Sequence, residues 1–370
     1  MRVIDLFAGC GGLSLGFAQA GFDVGQAVEF DPVIAGTYRR NHPGVRLMVD
    51  DIKNIDASGA FAGVKADVII GGPPCQGFSM AGARIRRGFI DDPRNYLFKH
   101  YFNVVKEVMP RAFVMENVKG IATMQGGKIF EEIQRIFQDP QALDGRPYRI
   151  YHRIVNAADF GVPQHRERMI ILGTLAGEAD MDELWRRTRS DIEARRPGYF
   201  DRVTVRDAIG NLPETSADGI VKNPEPATAY ERYLSCPADT IANHTRSKHA
   251  KVAVDRMRRI RSGENYRALN EPIRSVHSGA YGRLCWDELA STITTRFDTP
   301  AGGRFIHPEE DRTLTPREAA RIQSFPDSFT FYGDKRSISR QIGNAVPPKV
   351  AYFLGKLVEN LLRSPENAGD

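Results

Sequence analysis

"RVIDLFAGCGGLSLGFAQAG", residues 2–21, decides the fold. Its first six residues read as a buried strand, and the stretch from Leu13 reads as a helix that Gly21 ends. Between them Gly9, Gly11 and Gly12 make a turn where backbone can approach a ligand closely. The alternation continues outward: "VGQAVEF" (24–30) is a second strand, followed by a helix that opens at Pro32 and closes near "NHPG" (41–44). "ADVIIGG" (66–72), "RAFVMENV" (111–118) and "RMIILGTL" (168–175) are further apolar strands. In "YLFKHYFNVVKEVMP" (96–110), Leu97, Tyr101, Val104, Val105 and Val108 fall at helical spacing, and "IFEEIQRIF" (129–137) is a second amphipathic helix. Repeated β-α alternation predicts an α/β architecture: an open, largely parallel sheet with helices on both faces.

Near residue 180 the rhythm stops. "ELWRRTRSDIEARRPGYFDR" (183–202) is strongly charged, and some 130 residues of irregular spacing and scattered prolines follow. The expected organisation is a large unit over 1–185, a smaller loop-rich unit over 186–335, and a segment 336–370 that returns to the first. "KVAYFLGKLVENLL" (349–362) is the amphipathic helix expected to make that return.

Of the 370 residues 41% are hydrophobic and 26% charged, enough for a sizeable core. No apolar run approaches the roughly 20 residues of a spanning helix, and the N-terminus reads as a strand rather than a leader. A cytoplasmic, membrane-free protein is expected. Cysteines 10, 75, 236 and 285 form no Cys-x-x-Cys pair, which argues against a zinc site or a disulfide framework. His244 and His249 make no persuasive ligand pair, so no metal is expected. Net charge is only +5, yet residues 244–261, "HTRSKHAKVAVDRMRRIR", carry a single acid, Asp255. There Ala253, Met257 and Ile260 share a helical face and leave Arg256 and Arg259 on another. Those arginines fit either a phosphate-gripping surface or an ordinary solvated face.

In an open α/β sheet, ligands sit beyond the carboxyl ends of strands. A dinucleotide fingerprint would place a third glycine at position 14, where this chain has Ser14. Glu29 ends the second strand, where it suits a ribose diol, with Phe30 beside it to stack on adenine. Asp51 could accept from an adenine amine, and Asp5 adds charge near the turn. Acids around a glycine turn favour a cationic adenosine cofactor, S-adenosylmethionine. Cys75, in "GGPPCQGFS" (71–79), leaves the strand "VIIGG" behind two prolines and precedes a glycine-bearing basic loop (76–95). A rigidly held thiol under a cationic loop suggests covalent catalysis. Glu116 emerges at the same sheet edge as a candidate general acid. Strand alternation in "PQHRERMII" (163–171) puts Gln164, Arg166 and Arg168 on one face.

These motifs, with "LTPREAARIQSFPD" (314–327) and "QIGNAVPP" (341–348), occur in an order and spacing that resembles the DNA (cytosine-5)-methyltransferases. The resemblance covers residues 1 to about 175 and about 290 to 350. It implies a Rossmann-like, S-adenosylmethionine-dependent methyltransferase sheet, with residues 186–335 as the target-recognition domain. It makes Cys75 the nucleophile on carbon 6 of a flipped-out cytosine, Glu116 the acid at ring nitrogen 3, and Arg166 and Arg168 contacts to the base and its phosphate. Asp5, Phe7, Ala8, Gly9, Cys10, Gly11, Gly12, Glu29, Phe30, Asp51, Ile52, Pro74, Leu97, Asn344, Ala345 and Val346 would line the cofactor site. Gln76, Ser79 and Gln164 would meet DNA, joined by Arg256 and Arg259 if their face grips phosphates. The family often has a hydrophobic residue where this chain has Cys10, and tryptophan where it has Phe30. The implied substrate is one sequence in double-stranded DNA, methylated by a monomer in a restriction-modification or epigenetic system; the former would pair it with a separately acting endonuclease. A tRNA cytosine-5 methyltransferase would carry a Cys-Phe-Thr element that is absent here. A catalytically silent DNA-binding module leaves Cys75, Glu116 and Arg168 without purpose, and a nicotinamide-dependent dehydrogenase leaves "PPCQ" and "QHRER" unexplained.

Overall fold

The computed structural model describes residues 1–74, 96–273 and 277–363; Cys75, Gln76 and Ser79 lie outside the described residues. A seven-stranded sheet is built from β1 (Arg2–Leu6), β2 (Asp23–Glu29), β3 (Arg46–Val49), β4 (Val68–Gly71), β5 (Ala112–Val118), β6 (Arg149–Asn156) and β7 (Glu167–Thr174). Their order is β3-β2-β1-β4-β5-β7-β6. The first five strands pair in parallel, as the alternation predicts. β7 inserts antiparallel between β5 and β6, so the sheet is mixed. Strand order reverses beside β1, and the carboxyl ends of β1 and β4 open the crevice where such sheets hold ligands.

The helices that follow are α1 (Gly12–Gln19), α2 (Pro32–Asn41), the single turn α3 (Ala57–Ala60), α4 (Leu97–Val108), α5 (Lys128–Phe137) and α6 (Met181–Arg195). Beyond them lie α7 (Val205–Ile209), the ribbon β8 (Val221–Lys222) with β9 (Thr240–Ile241), and α8 (Ala229–Leu234) between its strands. The chain then forms α9 (Lys251–Arg258), α10 (Pro316–Ile322), α11 (Lys335–Asn344) and α12 (Pro348–Arg363).

Alternate residues of the central strands feed two cores, as a strand's two-residue period requires. Val3, Val68, Ile70, Val114 and Leu172 pack with α1 and α12, whereas Ile4, Ile69, Phe113, Met115 and Ile171 pack with α4 and α5. α12 crosses α1 closely because a methyl on Gly16 would overlap Ala351, and one on Gly355 would lie 2.7 Å from the Ala20 side chain. Lys356 Nζ caps the end of α1 at the Ala20 carbonyl (2.8 Å). α12 thus packs on the first helix of the fold. α6 runs unbroken through the expected boundary at 185 and packs Trp185 at a tilt against Phe353 of α12, with ring centroids 4.6 Å apart.

The later elements surround a third core that contains Val205, Leu234, Phe297, Phe325 and Ile342, and to which Cys10 also contributes. The charges of "LTPREAARIQSFPD" are spent inside it. Thr315 and Glu318 form a capping box at the start of α10, Arg312 pairs with Glu318 (2.8 Å), and Arg321 pairs with Asp327 (2.7 Å).

Candidate active site

The turn after β1 departs from ordinary backbone. Phe7, Gly9 and Gly11 all have positive φ (59°, 58° and 99°). Such angles come readily to glycine but are strained for a phenylalanine, and strain of this kind gathers at functional sites. A side chain on Gly9 would meet no atom within 4 Å, so the turn faces open space. Gly12 has no such room: a methyl there would strike the Val346 carbonyl, which seats the "QIGNAVPP" segment on the turn. Asn344, the last residue of α11, is exposed beside this contact.

Glu29 closes the other side. Its Oε2 accepts from the Gly9 amide and its Oε1 from the Asp31 amide, both at 2.9 Å. Burial pushes its carboxyl pKa up, and those amides oppose the rise. Phe30 is 64% exposed, an unusual position for a large ring and one that leaves its faces free to stack. Ile52 and Leu97 are buried in the core below, with Phe7 packed against it. Asp51 caps the short turn after it and pairs with Lys53 (3.0 Å).

Two expected lining residues point away from the opening. Asp5 is fully buried beneath the turn, where Ser14 Oγ donates to its Oδ2 (2.6 Å) and bonds Tyr38 Oη (2.7 Å). Burial raises the Asp5 pKa to about 7 against the Ser14 hydrogen bond. Ser14 therefore replaces the third glycine with a hydroxyl that ties β1 to α2. Cys10 turns into the third core and donates to the Gln341 carbonyl (3.6 Å), and burial pushes its thiol to about 12. It is a packing residue.

Glu116, two residues before the end of β5, lies next to the Gly72 that ends "VIIGG": a methyl on Gly72 would sit 3.2 Å from Glu116 Oε2. Arg168 Nε is 2.9 Å from Glu116 Oε1, an ion pair between two largely buried groups. Asn117 Nδ2 donates to the Pro73 carbonyl (3.0 Å) and so fixes the strand exit just before Pro74. Sequence reasoning singled out Glu116 but not Asn117; the signal available was an amide at a strand end that a proline-rich exit must pass.

Gln164, Arg166 and Arg168 do share a face, with His165 and Glu167 exposed between them. Only Arg168 reaches the acid. Arg166 is 1% exposed, and its guanidinium donates to the carbonyls of Ile293 (3.2 Å), Gly343 (3.0 Å) and Ala345 (2.9 Å). Gln164 is also buried, donating to Ile322 O (3.0 Å) and Gln323 Oε1 (2.7 Å) and accepting from the Ile293 amide (3.1 Å). The expectation that these two touch DNA is corrected. They stitch the start of β7 to residues 293 and 343–345, and Gln323, absent from the expected site, completes the seam through the Ile342 carbonyl (2.6 Å).

Met257 of α9 is buried together with Ile260, just beyond the helix, and Ala253 packs against them half-buried. The arginines on its other face are not free cations. Arg256 Nε pairs with Glu271 at 2.9 Å, and Arg259 pairs with the same carboxylate. Arg258 meets Asp311 (3.4 Å). Arg256 and Arg259, expected either to grip phosphates or to form a solvated face, thus carry a counter-charge that folding brings from outside the segment. His244 is held between Thr315 Oγ1 (3.0 Å) and the Pro213 carbonyl (2.9 Å), and His249 bonds Thr313 Oγ1 (3.1 Å). Among the described residues no group of three His, Cys, Asp or Glu gathers around a metal position, and no helix is long and apolar enough to cross a membrane.

Comparison with known proteins places this geometry. A family profile described as C-5 cytosine-specific DNA methylase matches residues 1–360. The chain is 36% identical to the Type II methyltransferase M1.HphI of Haemophilus parahaemolyticus, over 97% of this chain and 86% of that protein. It is 34% identical to the Type II methyltransferase M.XorII of Xanthomonas oryzae, over 99% and 87%. Among solved structures it resembles a putative DNA modification methyltransferase encoded within an E. coli prophage, with a TM-score of 0.76, 31% identity, and 98% and 100% of the two chains covered. The S. pombe Dnmt2 methyltransferase shares the fold at a TM-score of 0.60 and 17% identity, over 98% of each chain.

Proposed function

The chain belongs to the C-5 cytosine-specific DNA methylases, and on that premise we propose that it methylates carbon 5 of cytosine within one sequence of double-stranded DNA, as a Type II modification enzyme, using Cys75 and Glu116. One observation carries the assignment of residues. The Glu116–Arg168 pair and the Gly72-Pro73 strand exit meet at the same sheet edge as the open glycine turn, so an acid, the strand exit that leads into Cys75 in sequence and a cofactor cradle converge.

S-adenosylmethionine is the family's general methyl donor, and when bound it supplies the electrophilic methyl group that carbon 5 takes. The cradle suits it: open space over Gly9, an acceptor carboxylate at Glu29, an exposed ring at Phe30 and an exposed amide at Asn344. Glu29 would hold the ribose hydroxyls, Phe30 would stack on the adenine, and Asn344 would close the far wall. Cytosine carbon 5 is a weak nucleophile. Addition of the Cys75 thiolate to carbon 6, with Glu116 donating to ring nitrogen 3, makes carbon 5 enamine-like. Loss of the carbon 5 proton to water, expulsion of the thiolate and return of the ring nitrogen 3 proton to Glu116 then restore the ring. Arg168 holds the Glu116 carboxyl in place and neutralises it when ionised. The base must leave the stack for this chemistry, at a cost of a few kcal/mol. Action as a monomer, alongside a separate endonuclease of the same specificity, completes the proposal.

Bisulfite sequencing of plasmid DNA from cells that express the chain tests this reading. Unconverted cytosines confined to one position of one short sequence support it; complete conversion throughout overturns it.

A further inference from the structure

The cofactor cleft has two walls. One is the glycine turn with Glu29 and Phe30; the other is the end of α11 with Asn344. Three contacts among the described residues seat α11 and the segment that follows it on the first wall. Two are buried: Cys10 Sγ to the Gln341 carbonyl (3.6 Å), and Gly12 against the Val346 carbonyl. The third is solvent-accessible: Arg340 Nη2 meets Asp31 Oδ2 at 2.6 Å, with the Arg340 side chain 45% exposed. A groove of about 850 Å³, lined in part by Asp31, Val33, Tyr332, Arg336 and Arg340, runs along this side and admits water to the pair.

Asp31 is connected directly to the cleft. Its backbone amide donates to Glu29 Oε1 (2.9 Å), and Phe30 is the residue between them. Its other oxygen, Oδ1, caps α2 through the Val33 (2.9 Å) and Ile34 (3.3 Å) amides. The cap therefore does not need Arg340. What Arg340 adds is a link across the cleft: it sits on α11 four residues, about one helical turn, before Asn344. The geometry points to Arg340 as a positioning residue for the methyl donor, its ion pair with Asp31 setting the gap between the Glu29–Phe30 wall and the Asn344 wall. The inference rests on the reading of this cleft as the S-adenosylmethionine site.

An exposed ion pair couples its partners only modestly, so Arg340→Ala should raise the dissociation constant for S-adenosylmethionine roughly three- to five-fold. Arg340→Lys should retain much of the affinity, and Arg340→Glu should lose more than the alanine variant. The differences should shrink between about 0.05 and 0.5 M salt as screening tightens, a response that loss of packing alone would not give. Turnover at saturating cofactor and affinity for DNA should stay within about two-fold of the parent. Calorimetric titration of the full chain with S-adenosylmethionine, with Glu29→Ala in parallel, decides the matter. If Glu29→Ala weakens binding and Arg340→Ala does not, the inference fails while the cofactor site stands. If neither weakens binding, the site itself is misread and the inference falls with it. If Arg340→Ala weakens DNA binding and leaves cofactor affinity intact, Arg340 is a phosphate contact and the positioning role is overturned.

Discussion

Arg166 separates two accounts of the "QHRER" strand, and Arg166→Met tests them because it keeps most of the volume and removes the charge. In the structure the guanidinium makes three hydrogen bonds to buried carbonyls, at 2.9–3.2 Å. A hydrogen bond to a charged group contributes about 1.5–3 kcal/mol, so the gross loss is on the order of 5–9 kcal/mol. Against this, burial disfavours the charge: the Arg166 pKa is held well below the usual arginine range by desolvation and by the like charge of Arg168. Desolvating a cation costs several kcal/mol, which the methionine variant recovers. The net expectation is a destabilisation of roughly 3 kcal/mol, a large share of a typical 5–15 kcal/mol. It should appear as a lower urea midpoint with an unchanged slope. Because Ala345 and Gly343 flank Asn344, cofactor affinity should also fall. The salt dependence of DNA binding should not change. If Arg166 instead gripped a phosphate, the variant would keep its stability within about 0.5 kcal/mol, and the slope of log affinity against log salt would drop by about 0.9. That pair of results would refute the seam.

Two further predictions follow from groups that folding has placed in unexpected surroundings. Burial raises the Asp5 pKa from 3.8 to about 7. The native state therefore holds a proton that the unfolded chain releases, and stability falls as pH rises through that window and levels off above it. Asp5→Asn, which keeps an acceptor for Ser14, should match the parent below about pH 4 and exceed it above pH 7, by at most about 4 kcal/mol; urea titrations near pH 4.5 and pH 8 with equal differences would contradict this. Arg256 and Arg259 share Glu271, so replacing both by alanine should reduce the DNA salt slope by clearly less than the roughly 1.8 expected for two free phosphate contacts. Fluorescence titrations across salt concentrations give the slope, and a full 1.8 reduction would show that DNA displaces Glu271.

The central strands were legible because they are apolar on both faces: Val68–Gly71 and Ala112–Met115 are buried throughout. β3 and β6 escaped sequence reading for the opposite reason. They are the two edges of the sheet, and Arg149, His152 and Arg153 interrupt the apolar pattern of β6 on both of its faces. The glycine turn, Glu29 and Glu116 could be read locally, since each stands at a strand end. The fate of Arg166 could not, because its partners lie 127 to 179 residues away in sequence. The same holds for Asp5. A carboxylate beside a glycine turn looks like a ligand group until Ser14 and Tyr38 are seen to enclose it.

The most direct test of the account uses duplex DNA with 5-fluorocytosine at the modified position of the sequence that bisulfite mapping defines. Fluorine cannot leave carbon 5 as a proton does, so the covalent enzyme–DNA adduct should accumulate with S-adenosylmethionine present. Digestion and mass spectrometry should place that adduct on Cys75 alone. An adduct on Cys10, Cys236 or Cys285, or methylation that proceeds with no trapped species, would contradict covalent catalysis by Cys75.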